Sequence, residues 1–473
     1  MKIIKNFLYN ASYQIFLLLV PLLTTPYLAR TLGPQGVGIN SYTNSIIQYF
    51  ILFGCVGTNI YANRKIAFVR DKEQELSQTF WEIFFLRLIM LFVSLCAFFI
   101  FLNLTNDSYT IYYLAQAVTI IATMFDISWF FMGIEKFSVT VTRNFIVKIF
   151  TLVCIFMFVN SFSDLFMYIL IISLSALFGN LTMISSLKGY VHRPNLKKIN
   201  ILNHLKPSIV LFVPEIATQI YLVLNKTMLG SIISVESSGF YDQSDKIVKI
   251  VLAVVTATGT VMLPHVANAF ANGEKQKTKE YLYDSFTIVT SISIPMFMGL
   301  MAVSSKLVPL FFSRKFIMVS PLLFVESIVI LLIAWSNAIG TQYLLPTKQA
   351  NEYTKSVIIG ALVNIIMNIP LIIFWGTIGA VIATVISELS VTLYQLLVVS
   401  RQVSIRMLFK DIHKYFLSGI LMFILVFLLN QELSVTWTSL VIEIVVGILV
   451  YLTFIFISRA NVFQVIKKMK NEY

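Results

Sequence analysis

Charge is what this chain has least of. Only 12% of its 473 residues are Asp, Glu, Lys or Arg, against about 25% in a soluble domain, which excludes a large hydrated globular domain. Cysteine is scarce too. Cys55, Cys96 and Cys154 all sit in apolar stretches, so they read as small apolar filler and not as a disulfide framework. The four histidines, His192, His204, His265 and His413, lack metal-ligand spacing, so no metal is expected. No G-x-x-x-x-G-K-[ST] occurs, which excludes ATP hydrolysis through a P-loop. There is no Asp-x-Asp pair for metal-dependent sugar transfer and no grouping of Ser, His and acid. No catalytic residue and no cofactor are expected, and an enzyme is disfavoured. Basic residues form no stripe with interleaved aromatics, so no nucleic-acid partner is expected.

Long apolar runs take up the space that charge leaves. Hydrophobic residues make up 58% of the chain, in about 14 stretches near the 20 residues that one bilayer crossing needs. Backbone groups in lipid must be satisfied internally, so each stretch is expected to be helical. An even number of crossings puts both termini on one side. Lys and Arg choose that side. Arg64, Lys65, Arg70 and Lys72, then Lys188, Arg193, Lys197, Lys198 and Lys206, then Arg401, Arg406, Lys410 and Lys414 all fall with the termini. The loops at 103–110, 162–164, 231–238, 375–377 and 431–436 contain no Lys or Arg. Both termini are therefore expected in the cytoplasm, in a multi-pass membrane protein. One outer loop dissents, with Lys306, Arg314 and Lys315. The net charge of +13 reads as topology plus attraction to anionic inner-leaflet lipid. Lys2 and Lys5 open a short amphipathic foot, and the basic tail from Arg459 to Tyr473 is expected to lie on the inner surface.

The chain reads as two halves, with chance likeness between apolar segments as the alternative. Leu18-Leu19-Val20-Pro21 parallels Leu211-Phe212-Val213-Pro214, and each proline leads through a Gly-containing outer loop to Gly36-Val37-Gly38 or Gly239-Phe240-Tyr241. Six spans separate the copies, so the halves would run parallel about an axis along the membrane normal. The expected division is a six-helix bundle at 1–187, a basic cytoplasmic linker at 188–207, a second bundle at 208–400, and two further helices with a basic tail at 401–473. Pro21 and Pro214, at matching depths, are candidate hinges.

Ionisable groups inside spans cost roughly 2.5–3.5 kcal/mol each and usually face a polar cavity. Candidates are Arg87, Asp126, Lys148, Glu215, Lys226, Asp242, Asp245, Lys246, Lys249, Glu326, Glu388 and Glu443. Asp242–Lys246 and Asp245–Lys249 are i,i+4 pairs with the acid first. They are either self-neutralised pairs that let one helix insert, or the wall of a wet lumen. Glu215 and Lys226 share a face about 16 Å apart in height. Lys148 and Arg87 stand near inner helix ends, where a cation either meets an anionic substrate or snorkels to the interface.

Several runs carry a family resemblance. Arg30-Thr31-Leu32-Gly33-Pro34-Gln35-Gly36-Val37-Gly38 resembles the first outer loop of Wzx-type flippases for O-antigen or capsule repeat units. These are polysaccharide transporters of the multidrug/oligosaccharidyl-lipid/polysaccharide exporter superfamily. Asp126-Ile127-Ser128-Trp129-Phe130-Phe131-Met132-Gly133-Ile134-Glu135, with Arg143-Asn144 and Lys148, is similar to their fourth and fifth helices. Gly239-Phe240-Tyr241 with Lys246-Ile247 resembles their eighth, and Asn364, Asn368, Gly376, Gly379 and Glu388 their eleventh and twelfth. The resemblance implies an all-α fold of two six-helix bundles around a central cationic cavity, plus two C-terminal helices. It implies passage of undecaprenyl-pyrophosphate-linked oligosaccharide from the inner to the outer leaflet, beside a polysaccharide polymerase and glycosyltransferases. On that basis Lys148, Lys226, Lys246 and Lys249 are expected to contact substrate. Asp126, Glu215, Asp242, Asp245 and Glu388 are expected to tune the cavity or couple it to H+ or Na+. The two aspartates at 242 and 245 dilute the cationic character that the family leads one to expect. An exporter of drugs or of lipid-linked peptidoglycan precursor stays open, as does, more remotely, a membrane polysaccharide polymerase.

Overall fold

The computed structural model describes residues 2–105, 108–194 and 199–472, with side chains described throughout except at 2–15, 17–19, 213–214, 217–218, 220–222, 258, 260–261 and 469–472. Among these residues the chain is helical, with no strand. The chain is a multi-pass membrane protein. Ten helices are long and apolar enough to cross a bilayer, and a bent pair, Val235–Ala257 with Met262–Ala271, adds an eleventh. Fourteen crossings remain a proposal, and two breaks support it. Helix α1 (Lys2–Cys55) breaks at Gly33, and α13 (Ala350–Val399) breaks at Gly376. Unbroken, helices of 54 and 50 residues would each rise more than twice the hydrocarbon thickness, so the chain must turn at those glycines. Gly33 has φ 69°, ψ −179°, and Gly376 has φ 58°, ψ −132°, regions open essentially to glycine alone. The outer loops expected around these residues thus shrink to single-residue breaks.

Contacts divide the chain into two compact units, 1–231 and 232–473. In the first, α1 is followed by α2 (Thr58–Val69), α3 (Glu73–Thr105), α4 (Thr110–Met124), α5 (Ser128–Gly133), α6 (Phe137–Phe158), α7 (Leu165–Ser185) and α8 (Leu202–Ile232). Helix α8 packs with this unit: its backbone at Ser208 and Phe212 abuts Gly57, and Gly230 lies against the Tyr42 ring. The Trp129-Phe130-Phe131 run is core, buried with Ile66, Phe80, Ile83 and Met183. Trp129 stacks on Phe80 with centroids 5.5 Å apart.

The linker after α7 is tied down. Trp81 Nε1 donates to the His192 carbonyl at 2.8 Å, and the Asn200 N–H donates to Glu82 at 2.9 Å. His204, on the first turn of α8, is buried between Tyr61 Oη and Glu82 Oε2, 2.7 Å from each. Lys197 and Lys198 lie outside the described residues.

The second unit is built on α10 (Lys275–Phe311), which packs against α9 (Val235–Ala271), α11 (Val319–Glu326), α12 (Ile328–Ser336), α15 (Ile412–Glu432) and α16 (Trp437–Ile457). A π-helical turn, Asn337–Leu344, follows α12. A short helix, α14 (Ile405–Leu408), precedes α15. Helices α9 and α16 begin on side-chain caps: Ser234 Oγ accepts from the Ser237 N–H and Thr436 Oγ1 from the Ser439 N–H, both at 3.2 Å. The tail forms α17 (Val462–Glu472), whose Lys468 reaches Asp284 at 2.9 Å and Glu280 at 3.2 Å on α10.

Helix α10 also settles the dissenting outer cation. It runs on past the expected loop start to Phe311, and Lys306 lies inside it, 2% exposed and paired with Glu443, which is 0% exposed. Asn430 donates to the other Glu443 oxygen at 2.9 Å and takes a hydrogen bond from Ser305 at 2.6 Å. Lys306 is therefore a buried joint among α10, α15 and α16, and only Arg314 and Lys315 remain as loop cations.

Candidate functional site

In the first unit the polar residues gather where helices break. Between α1 and α2 the backbone enters the left-handed region at Val56 (φ 46°) and Gly57 (φ 70°). That conformation strains a β-branched residue, and such strain survives only where the surroundings enforce it. Arg87 of α3 lies beside this break, 1% exposed. Its Nε donates to the Thr123 carbonyl at 3.0 Å, and its Nη1 reaches Asn59 Oδ1 and, at 3.4 Å, Thr58 Oγ1. Its Nη2 lies 3.6 Å from Asp126 Oδ2. Arg87 neither snorkels nor faces solvent. It is a bracket.

Asp126 occupies the gap at 125–127 between α4 and α5, and its Oδ1 accepts the Ser128 N–H at 2.9 Å. The same carboxylate thus caps one helix and balances Arg87. Glu215, on α8 one turn beyond Phe212, lies within electrostatic reach of Arg87. Its Oε2 is buried and has no hydrogen-bond partner among the described residues. Arg87 and Asp126 are thus paired, with Glu215 in their neighbourhood, a centre the sequence shows only as three separate span residues. Lys226, half-buried on the same helix, shares an element with Glu215 but not this centre. Lys148 stands exposed on α6, with no ion pair among the described residues. The α1 helix passes through Pro21 without leaving helical geometry, and the side chain of Pro214 lies outside the described residues.

In the second unit both expected pairs on α9 are formed, Asp242–Lys246 at 2.5 Å and Asp245–Lys249 at 2.7 Å. The acids are the inner members; the lysines are 40% and 48% exposed. Each lysine keeps further N–H donors beyond the one its aspartate takes, so a multivalent anion can bond the exposed side of both without breaking the pairs. Tyr241, one residue before Asp242, bonds Thr384 of α13 at 3.0 Å. Glu388, one turn beyond Thr384, is buried. Asn364 and Asn368 are fully buried and joined at 2.7 Å. Among the described residues no group of three or more His, Cys, Asp or Glu is placed to hold a metal ion.

Sequence reasoning missed the Lys306–Glu443–Asn430 joint and the buried His204–Glu82 pair. A signal existed for the first: Glu443, alone in the last apolar stretch, needs a cation at its own depth. For the second there was none, since both residues lie at span ends where charge is cheap.

Comparison with known proteins decides the family. The family described as polysaccharide biosynthesis protein matches residues 3–270, more than half of the chain. The chain belongs to that family. The match bears out the resemblance drawn from residues 30–38 and 126–135. A putative O-antigen transporter of Escherichia coli K12 is 24% identical over 403 residues, 84% of this chain and 96% of that protein. A probable low-salt glycan biosynthesis flippase of Haloferax volcanii is 24% identical over 57% of each chain. These relatives are named as transporters, not enzymes. Among solved structures, a lipid II flippase MurJ in an inward closed conformation superposes with a TM-score of 0.81 over 96% of this chain and 99% of its own, at 16% identity. A multidrug resistance MATE family transporter gives a TM-score of 0.63 over 84% of this chain and 95% of its own, at 12% identity. At such identities these two likenesses establish the fold.

Proposed function

We propose that this member of the polysaccharide biosynthesis protein family is a flippase for undecaprenyl-pyrophosphate-linked oligosaccharide, moving repeat units from the inner to the outer leaflet of the cytoplasmic membrane. The observation that carries the reading is the state of the lysines on α9. Two cations on one apolar helix are 40% and 48% exposed and, among the described residues, are each bonded to their own i,i+4 acid, so a diphosphate can bond their open faces while those acids stay paired. Lys226 and Lys148 offer further cations on α8 and α6. The sugar head and diphosphate cannot enter hydrocarbon, whereas the polyprenyl tail can stay in it. The two units would open alternately to each side, with Pro21 and Pro214 as hinges and no ATP hydrolysis. Outward movement of two negative charges from a negative interior gains about 4–5 kcal/mol at about 100 mV, enough to bias export without a chemical step. Glu215 and Asp126, both in the neighbourhood of Arg87, would be where H+ or Na+ coupling acts, with Glu388 their counterpart in the second unit.

The test is surface polysaccharide output from the double substitution Lys226→Gln, Lys246→Gln, at matched membrane expression. Loss of output with accumulation of lipid-linked repeat unit inside is expected; wild-type output removes these lysines from the path. The likeness to the lipid II flippase favours one second reading, a lipid-linked peptidoglycan precursor as cargo. Rescue of a cell depleted of its lipid II flippase would support it over the first.

A further inference from the structure

Between α6 and α7, wholly inside the first unit, runs an open groove of about 630 Å³. Its two ends differ chemically. At one end Arg143 and Thr142 of α6 face Thr182 of α7; towards the other, Ile146, Phe150 and Phe178 line it, and these three are exposed. The antiparallel run of the two helices creates this gradient, because the start of α6 meets the end of α7. Gly179 makes the polar end possible. A Cβ there would lie 2.8 Å from Val147 Cγ2 and 3.4 Å from Arg143 Nη1, so the glycine is the notch into which the guanidinium settles. Arg143 Nη2 rests 2.7 Å from Met183 Sδ, and for that nitrogen an anionic oxygen is a stronger acceptor than the sulfur. With the termini cytoplasmic, the polar end lies at the inner leaflet.

We propose that this groove holds a resident anionic glycerophospholipid of the inner leaflet. Its phosphodiester pairs with Arg143 and accepts a hydrogen bond from Thr142, and an acyl chain lies along Phe150 and Phe178. One guanidinium matches the single charge of a phosphodiester, whereas a diphosphate brings more charge than this end can balance. The groove is also bounded by consecutive helices of one unit and does not need the second unit to complete it. A lipid there is a fixed part of the first unit and not cargo, so the inference stands apart from the proposed transport.

The experiment uses the full chain purified in detergent with phosphatidylglycerol, phosphatidylcholine or inorganic phosphate. Retained lipid is read by native mass spectrometry and stability by thermal unfolding. Phosphatidylglycerol is expected to be retained at least about ten-fold over phosphatidylcholine and to raise Tm, with inorganic phosphate without effect. Arg143→Gln is expected to bring retention to the phosphatidylcholine level, and Arg143→Lys to preserve most of it. Thr182→Trp, at an exposed position, fills the groove with Arg143 intact and is expected to lose retention too, which covers a misfolded Arg143 variant. Equal retention of the two lipids, undiminished retention by both blocking variants, or an equal Tm rise with inorganic phosphate would overturn the proposal. Displacement of phosphatidylglycerol by a polyprenyl diphosphate would do so as well, since it would make the groove a cargo site.

Discussion

Individual residues in this membrane interior are defined by their partners more than by their own charge. Lys306 is the clearest case. Removing one member of a fully buried ion pair strands the other, which costs about 3–5 kcal/mol, so Lys306→Met is expected to lower Tm steeply in detergent. Replacing both members, Lys306→Met with Glu443→Leu, should recover part of that loss, because no charge is then stranded while the Asn430 amide loses its acceptor. A double variant as unstable as the single one would show that the pair contributes more than mutual neutralisation. Arg87 behaves differently, since it serves three acceptors besides Asp126. Asp126→Asn keeps an oxygen for the Ser128 N–H and removes only the charge. It should cost less stability than Arg87→Met, which strips Asn59 Oδ1 of its donor and leaves the Thr123 carbonyl only the Asp126 N–H, an unserved buried group costing about 1–3 kcal/mol. Thermal unfolding of the two variants side by side checks that order. The sequence singled out Arg87, Asp126 and Glu215 as costly but not as one cluster, because convergence depends on how three helices are rotated, and a linear pattern carries no record of that.

Elements were more legible. Apolar length and the need to satisfy backbone groups in lipid give a one-dimensional rule, so the helices and their approximate ends follow from the sequence. Helix ends are less certain where an element outruns its apolar stretch, as α10 does beyond residue 305 to take in Lys306. The two glycine breaks are backbone features that a Cβ would meet with no neighbouring atom within 4 Å. Gly376→Ala should therefore cost only the backbone strain, about 1–3 kcal/mol, with Gly33→Ala similar. A larger loss would mean that packing and not conformation fixes the turn. At the other end, burial lowers the affinity of Lys468 for its proton but Asp284 and Glu280 more than restore it, so its pKa stands above the ordinary lysine value. A raised lysine contributes stability below its unfolded pKa and loses it only as pH climbs through the folded one. Docking of α17 should thus be intact at neutral pH, and Lys468→Gln should speed proteolysis of the tail there. Unchanged cleavage would show that the apolar face of α17 suffices.

For the molecule as a whole, net charge and its distribution were readable because insertion reads them the same way. Two divisions of the chain stand side by side. Repeat similarity places a boundary before residue 208, whereas contacts place it after 231, since α8 lies against Gly57 and Tyr42. Repeat similarity reports ancestry of segments, and packing reports where they settle. If the proposed export is driven by the potential, collapsing it in proteoliposomes should slow outward movement of a fluorescent lipid-linked oligosaccharide without abolishing exchange. Insensitivity to potential would point instead to compensating charge movement within the protein.

The single-residue turns at Gly33 and Gly376 also bear on how the chain can be handled. Epitopes, cleavage sites and fluorophore anchors need a few residues of slack, and these breaks have none to give. An insertion there would push apart the two helical segments that each glycine joins, while the stretch from Leu433 to Thr436, already outside helix and capped on its own, is the place where a label can be carried without disturbing the bundle.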